Sequence, residues 1–224
     1  MKTQLNTLLN RVDTRLAACA AAAGASLAVV PSSDATIVYS GLVNLVVPNT
    51  TAGLYLNVVT NVSNTSPGLA PGWDVNPFSA TGLSFFNPTA PAGGVYVQST
   101  TPGSTANLTL GTLISALSTY GSSAGITTGS NPFVLNSNQN FVGFRFTEAT
   151  LNGGAVTFGW FQLSLGATLA APRSIVGYAY ENTVGMGIAA GDTGVVPEPS
   201  TFALLGVMAA GALGVRAWRG RKAA

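Results

Sequence analysis

Between residues 36 and 196 the sequence carries only six ionised side chains: Asp74, Glu148, Glu181 and Asp192 against Arg145 and Arg173. A glycosidase needs two carboxyls about 5 to 9.5 Å apart, one of them with a raised pKa. Glu148 and Glu181 close the stretches FVGFRFTE and RSIVGYAYEN. They therefore fall near the ends of strands expected to be neighbours and form the one candidate pair of glutamates. The ordinary use of such groups is an ion pair with Arg145 or Arg173 across the sheet, and that reading is preferred. Asp74 in GWDVNP and Asp192 in AAGDTG sit in turn-like contexts where an aspartate binds its own backbone. Neither is part of the clustered Asp-x-Asp spacing that calcium loops use.

Other chemistries lack their residues. There is no histidine and one cysteine, Cys19. A serine nucleophile has no imidazole base, no Ser-x-x-Lys follows residue 35, and no glycine-rich phosphate loop is present. Zinc sites of the usual ligand types are excluded, so no metal, no cofactor and no enzymatic activity are expected. The net charge of this middle region is −2, which provides no basic face for phosphates and argues against a nucleic-acid partner. Aromatic rings remain as binding groups. Trp160, Tyr178 and Tyr180 lie in strand-like runs and are assigned to the core. Trp73 follows Pro71-Gly72 in a loop and is the candidate ligand contact, able to stack on a sugar ring. Ice binding would need a regular threonine array, and no Thr-x-Thr ladder occurs.

Charged residues are 7% of the 224-residue chain, against about 25% in an average soluble protein. A sequence polar without being ionic, with apolar and β-branched runs punctuated by Gly, Pro, Asn and Ser, reads as many short strands. Strands are expected over 36 to 47, 53 to 60, 94 to 99, 105 to 114, 141 to 148, 155 to 165 and 173 to 182. Long loops are expected over 61 to 72 and 118 to 132. Val142, Phe144 and Phe146 share one face, as do Val176, Tyr178 and Tyr180. Between them the apolar set changes from Val156, Phe158 and Trp160 to Phe161, Leu163 and Leu165, which predicts a bulge beside Gly159 or burial on both faces. Asn152-Gly153-Gly154 supplies a hairpin turn. The fold class is all-β, an antiparallel β-sandwich of jelly-roll type over 36–194, with an N-terminal signal helix and a C-terminal transmembrane helix.

Residues 1–35 have the layout of a secretory signal peptide: Lys2, Arg11 and Arg15, then LAACAAAAGASLAVV, then small residues Ser33 and Ala35 before a cut after Ala35. Leu16-Ala17-Ala18-Cys19 has the form of a lipoprotein box, but the apolar run follows the cysteine instead of preceding it. At the other end, 195–224, comes Val196-Pro197-Glu198-Pro199-Ser200. Thr201 to Val215 is then an uncharged run that covers roughly 23 Å as a helix, enough for a thin or locally thinned bilayer. Arg216, Arg219, Arg221 and Lys222 form a basic end that stays cytoplasmic by the positive-inside rule. The prolines keep 197 to 199 extended, the form a protease can grip.

This tripartite ending resembles the PEP-CTERM sorting signal of Gram-negative bacteria. The resemblance implies recognition by an exosortase, a membrane protease/transpeptidase-like enzyme, with processing near Pro197, Glu198 and Pro199. It also implies an inner-membrane-tethered precursor destined for the cell surface or biofilm matrix, with exopolysaccharide as partner. The core pattern FVGFRF, TFGWFQLSL, IVGYAYEN, GIAAGD is similar to PEP-CTERM passenger domains of uncharacterised activity. The expected role is structural or adhesive; a carbohydrate-binding module, or a carboxylate-based glycosidase, is the alternative.

Overall fold

The computed structural model describes residues 36–121 and 123–194. The expected signal segment with its cut after Ala35, the Pro197–Pro199 motif, the apolar run from Thr201 and the basic end at Arg216, Arg219, Arg221 and Lys222 lie outside the described residues. Within them the chain forms fourteen strands: β1 Ile37–Tyr39, β2 Leu45–Val46, β3 Tyr55–Asn57, β4 Val62–Asn64, β5 Asn76–Phe78, β6 Ser84–Phe86, β7 Tyr96–Val97, β8 Leu113–Ile114, β9 Tyr120–Gly121, β10 Ser123–Ala124, β11 Ser137–Thr147, β12 Val156–Leu165, β13 Arg173–Glu181 and β14 Ile188–Ala189. Two 3-10 turns, Pro67–Leu69 and Asn152–Gly154, are the only helical elements among the described residues. No helix there is long and apolar enough to cross a membrane.

The strand pairs are antiparallel. One large sheet runs β1-β13-β12-β11-β7-β9, with β2 also on β13; β10-β6-β5, β3-β4 and β14-β8 are separate small sheets. The three long strands β11, β12 and β13 make the frame, because only they hold uninterrupted β-branched and aromatic runs. Asn152 and Gly153, at φ 53° and 65°, turn β11 into β12 where the sequence predicted a hairpin.

This frame is buried on both faces. Val142, Phe144, Phe146, Phe161, Leu163, Leu165, Ile175, Tyr178 and Tyr180 join one apolar cluster; Phe141, Phe158, Trp160 and Ala179 join another. Alternate residues of β12 therefore feed opposite clusters, and its register with β11 is continuous past Gly159. Two-sided burial, and no bulge at Gly159, explains the apolar pattern there. The irregularity lies in β13, where Gln162 pairs with Gly177 and Leu163 with Ile175. Val176 is the extra residue, so Ile175, and not Val176, shares the cluster of Tyr178 and Tyr180.

Other strand expectations are altered by turns. The 36 to 47 run breaks between β1 and β2, where Gly41 and Asn44 have positive φ. Most of 105 to 114 contributes isolated bridges, Gln98 to Thr105 and Leu108 to Phe141, before β8 begins. The two expected loops contain β4, β9 and β10.

Gly159 shows why a residue without Cβ sits in the frame. It is opposite Phe144 in the register, and a Cβ there would fall 2.6 Å from Phe144 Cζ and 2.7 Å from the Ala179 carbonyl oxygen. A methyl group would have to displace a fully buried ring or a backbone. Gly159→Ala should therefore cost about 1–3 kcal/mol, read as a lowered thermal midpoint in circular dichroism; an unchanged midpoint would contradict the close packing.

Candidate functional site

The region around Trp73 is built from the β3–β4 hairpin, the segment that follows it, and the β5–β6 hairpin. Leu56 and Val75 bridge, with reciprocal backbone hydrogen bonds of 3.0 and 3.2 Å. Asn57 is buried at the end of β3 and does two jobs. Its Oδ1 accepts from the amides of Val59 and Thr60, fixing the hairpin turn. Its Nδ2 donates to the carbonyls of Pro71 and Gly72 at 3.0 and 2.9 Å, fixing the loop that presents Trp73. The Tyr96 hydroxyl, fully buried, accepts from the Asn76 amide at 2.7 Å and donates to the Phe86 carbonyl at 3.0 Å, so one side chain clamps β5 to β6. Burial raises the Tyr96 pKa, so the hydroxyl keeps the proton this bridge needs.

Held this way, four rings form a row. Trp73, half-buried, meets Tyr55 edge-on at 5.0 Å and lies nearly parallel to Phe86 at 6.1 Å; Phe86 meets Phe78 edge-on at 6.3 Å. Phe86 is 52% exposed, so the row presents apolar ring surface to solvent. Trp73 is thus accessible in part, as its loop position predicted, and its neighbours Tyr55, Phe78 and Phe86 were missed. The signal for Phe86 was available: Ser-Phe-Phe alternates one buried ring, Phe85, with one exposed.

Behind the row lie two carboxylates, though not the expected pair. Asp74 is buried; its Oδ2 accepts from the Val58 amide at 2.9 Å across sixteen residues of chain. Glu148 comes to the same place, its Oε2 lying 3.4 Å from where a Cβ on Gly72 would stand. Loss of hydration pushes the Asp74 carboxyl up to about 7; the Val58 amide opposes this, and the Glu148 charge adds to it. Glu181 is elsewhere: it is buried and its Oε1 accepts from the Thr183 amide at 2.8 Å. The two glutamates thus belong to separate local networks, one at Asp74 and one at Thr183.

The arginines take carbonyls as partners where ion pairs were expected. Arg145 donates to Gly94 and Ala92 oxygens, both at 2.9 Å, and lies 4.4 Å from the Tyr120 ring centroid. Arg173 donates to the carbonyls of Val47, Pro48, Ser79, Gly82 and Leu169. Asp192 does bind its own turn, accepting from Gly194 at 3.0 Å, whereas Asp74 reaches the turn that follows β3. Trp160, Tyr178 and Tyr180 are core residues, with Trp160 Nε1 donating to the Asp192 carbonyl at 2.9 Å. Among the described residues no group of three or more acidic, Cys or His side chains could hold a metal ion. A separate pocket of about 370 Å³ lies between Val46–Asn49 and the β12–β13 turn; it shares no residue with the aromatic row.

Residues 195–222 match the PEP-CTERM protein-sorting motif. That motif implies export, membrane-anchored sorting and processing by an exosortase, in agreement with the reading of the tail. No curated protein and no solved structure matches the chain.

Proposed function

We propose that this chain, an exosortase substrate by its tail, is a structural or adhesive protein of the Gram-negative cell surface or biofilm matrix that holds exopolysaccharide. In this reading 1–35 is removed after Ala35, 36–194 is a jelly-roll-like sandwich passenger, and the tail tethers the precursor in the inner membrane until processing near Pro197–Pro199. The observation that carries the exopolysaccharide assignment is the solvent-facing row of Tyr55, Trp73, Phe86 and Phe78 on a domain almost without charge. Neutral or weakly charged glycans bind through ring stacking and hydroxyl contacts, which need no ionic partner. The role is read as non-catalytic: Glu148 and Glu181, the pair expected from the sequence, sit in separate networks, and the one carboxyl that Glu148 does meet, Asp74, is buried and held by the Val58 amide.

Two measurements test this. Intact mass in cells with the exosortase should show loss of residues 1–35 and a cut near Pro197, and the uncut tail should persist in cells lacking the enzyme. Pull-down on matrix polysaccharide should weaken about tenfold for Phe86→Ala or Trp73→Ala, the scale of one lost stacking contact. Thermal midpoints of both variants would be followed alongside, since Trp73 is half-buried. Unchanged binding in variants that remain folded would reject the aromatic row as the binding surface. Release of reducing sugar, lost in Glu148→Gln, would reject the non-catalytic reading.

A further inference from the structure

A second apolar surface lies on the opposite cluster's side of the domain. β8 and β14 form a two-stranded ribbon, Ile114 opposite Ile188 and Leu113 opposite Ala189. Its inward residues, Ile114 and Ile188, are fully buried. Its outward residue and the turns at its ends carry Leu110, Leu113, Leu117, Val184 and Met186, whose exposures run from 54% to 96%. They belong to one surface. The turn holding Leu117 is closed by Ser118 N to Ser115 O at 3.0 Å, and the turn holding Val184 by Met186 N to Thr183 O at 3.2 Å. Gly187 joins them, with a Cβ there 3.0 Å from Ser115 Cβ and 3.1 Å from Leu113 Cδ1. At the ribbon's other end Leu110 packs against Gly191. None of the five carries a charge, and a contiguous apolar patch of this kind, unlike single exposed leucines, marks an interaction or membrane surface.

The chain leaves the domain at this same corner. Gly191 is followed by Asp192, whose carbonyl is tied to Trp160, and by Gly194, which lies against Ile37 with a Cβ position 3.0 Å from Ile37 Cβ. The peptide from Gly194 to Thr201, where the apolar run begins, can reach at most about 25 Å when fully extended. A domain on so short a leash stays close to the membrane, and the ribbon strand β14 ends five residues before Gly194.

We propose that the face formed by the β8–β14 ribbon and its two turns, with Leu110, Leu113, Leu117, Val184 and Met186, seats in the lipid headgroup–acyl boundary while the tail tethers the chain. The inference rests on the tail being membrane-inserted. Uncharged leucine loops beside an anchor enter the interface by burying apolar area, without anionic lipid. Seating would also hold the chain just after Gly194 at the bilayer surface, where a membrane-embedded protease works. The aromatic row, on the other cluster's side, would stay in water.

The experiment uses the full chain with Cys19→Ser, its one native cysteine removed, in phosphatidylethanolamine–phosphatidylglycerol vesicles containing doxyl-labelled lipid. A nitrobenzoxadiazole label is placed by Leu117→Cys, by Leu69→Cys, or by Ala203→Cys in the apolar run. Leu69 is 65% exposed and sits in the Pro67–Leu69 turn before Trp73. Lipid quenching at 117 should exceed that at 69 by at least about twofold, because only the first label enters the interface. Adding Leu113→Asp and Met186→Asp should remove the excess. Equal weak quenching at 117 and 69 with strong quenching at 203 would overturn the seating and leave the tether intact. No quenching at 203 would overturn the tether and the seating with it. Self-quenching at 117 that grows with protein density, without lipid quenching, would assign the surface to a second copy and overturn the proposal.

Discussion

Arg173→Met is expected to lower the thermal midpoint of the β domain by on the order of 10 °C, measured by circular dichroism on the full chain in detergent. Arg173 is buried with all five guanidinium donors on backbone carbonyls: Nε on Val47, Nη1 on Gly82 and Leu169, Nη2 on Pro48 and Ser79. Those oxygens come from three separate stretches: the exit of β2, the β5–β6 loop and the β12–β13 loop. The arginine serves as their common donor, while its own carbonyl accepts from the Val47 amide at 3.0 Å. Burial lowers the Arg173 pKa, yet a guanidinium starts so high that it stays charged, and its planar fork suits several acceptors at once. Methionine fills the volume and leaves those carbonyls without the guanidinium donors, at a cost of about 3–5 kcal/mol. Lysine, with three donors on one nitrogen, should recover part of the loss. A methionine variant within about 1 kcal/mol of the parent would mean that water reaches these carbonyls and the guanidinium is not their main partner.

The same residue illustrates what a sequence read in one dimension leaves out. The long strands β11, β12 and β13 were legible because period-two alternation of bulky side chains is a local property, visible in FVGFRF without knowledge of its neighbours. Asn-Gly-Gly between two such runs was legible for the same reason. Arg173 looked like a cross-strand ion-pair former because nearby glutamates were the only partners visible along the strands. Its actual partners are carbonyls up to 126 residues away, and a carbonyl carries no residue-type signal. Around Gly159 the change of apolar phase left a bulge and two-sided burial both open; it reports two clusters, one on each face of the sheet, because local periodicity alone cannot tell a slipped register from a strand covered on both sides. The β5–β6 hairpin was missed since Pro77 lies inside a three-residue strand, and proline argues against strands except at edges. The Trp73 loop was found from its Pro-Gly flank, but its partner Phe86 comes from that missed hairpin.

Asp74 provides a pH dependence with a definite sign. Its carboxyl titrates near 7 in the folded protein, against 3.8 for the free side chain. The folded state therefore binds more protons than the unfolded state between those two values, and stability must fall as pH rises through that window. Below about pH 4 the group contributes no penalty; above about 7 it contributes its full one, on the order of 4 kcal/mol. The penalty arises because the buried carboxylate receives one amide hydrogen bond, from Val58, while Glu148 adds like charge and Tyr96, Tyr178 and Tyr180 are the other titratable groups close enough to feel it. Asp74→Asn keeps an oxygen for the Val58 amide and carries no charge. It should raise the thermal midpoint at pH 8 and leave it nearly unchanged at pH 4, so that the difference between the two proteins grows as pH rises from 4 to 8. Melting curves at several pH values settle the matter: a difference that is constant with pH, or that shrinks as pH rises, would mean that Asp74 is already ionised without penalty and is solvated in the folded state. The direction has a bearing on the aromatic row as well. Asp74 directly follows Trp73 and anchors its segment to Val58, and the ionised carboxylate is the stronger acceptor for that amide, so protonation loosens this support of the ring. Glycan retention through Trp73 should accordingly weaken as pH falls from 8 to 5, and Asp74→Asn should abolish that difference.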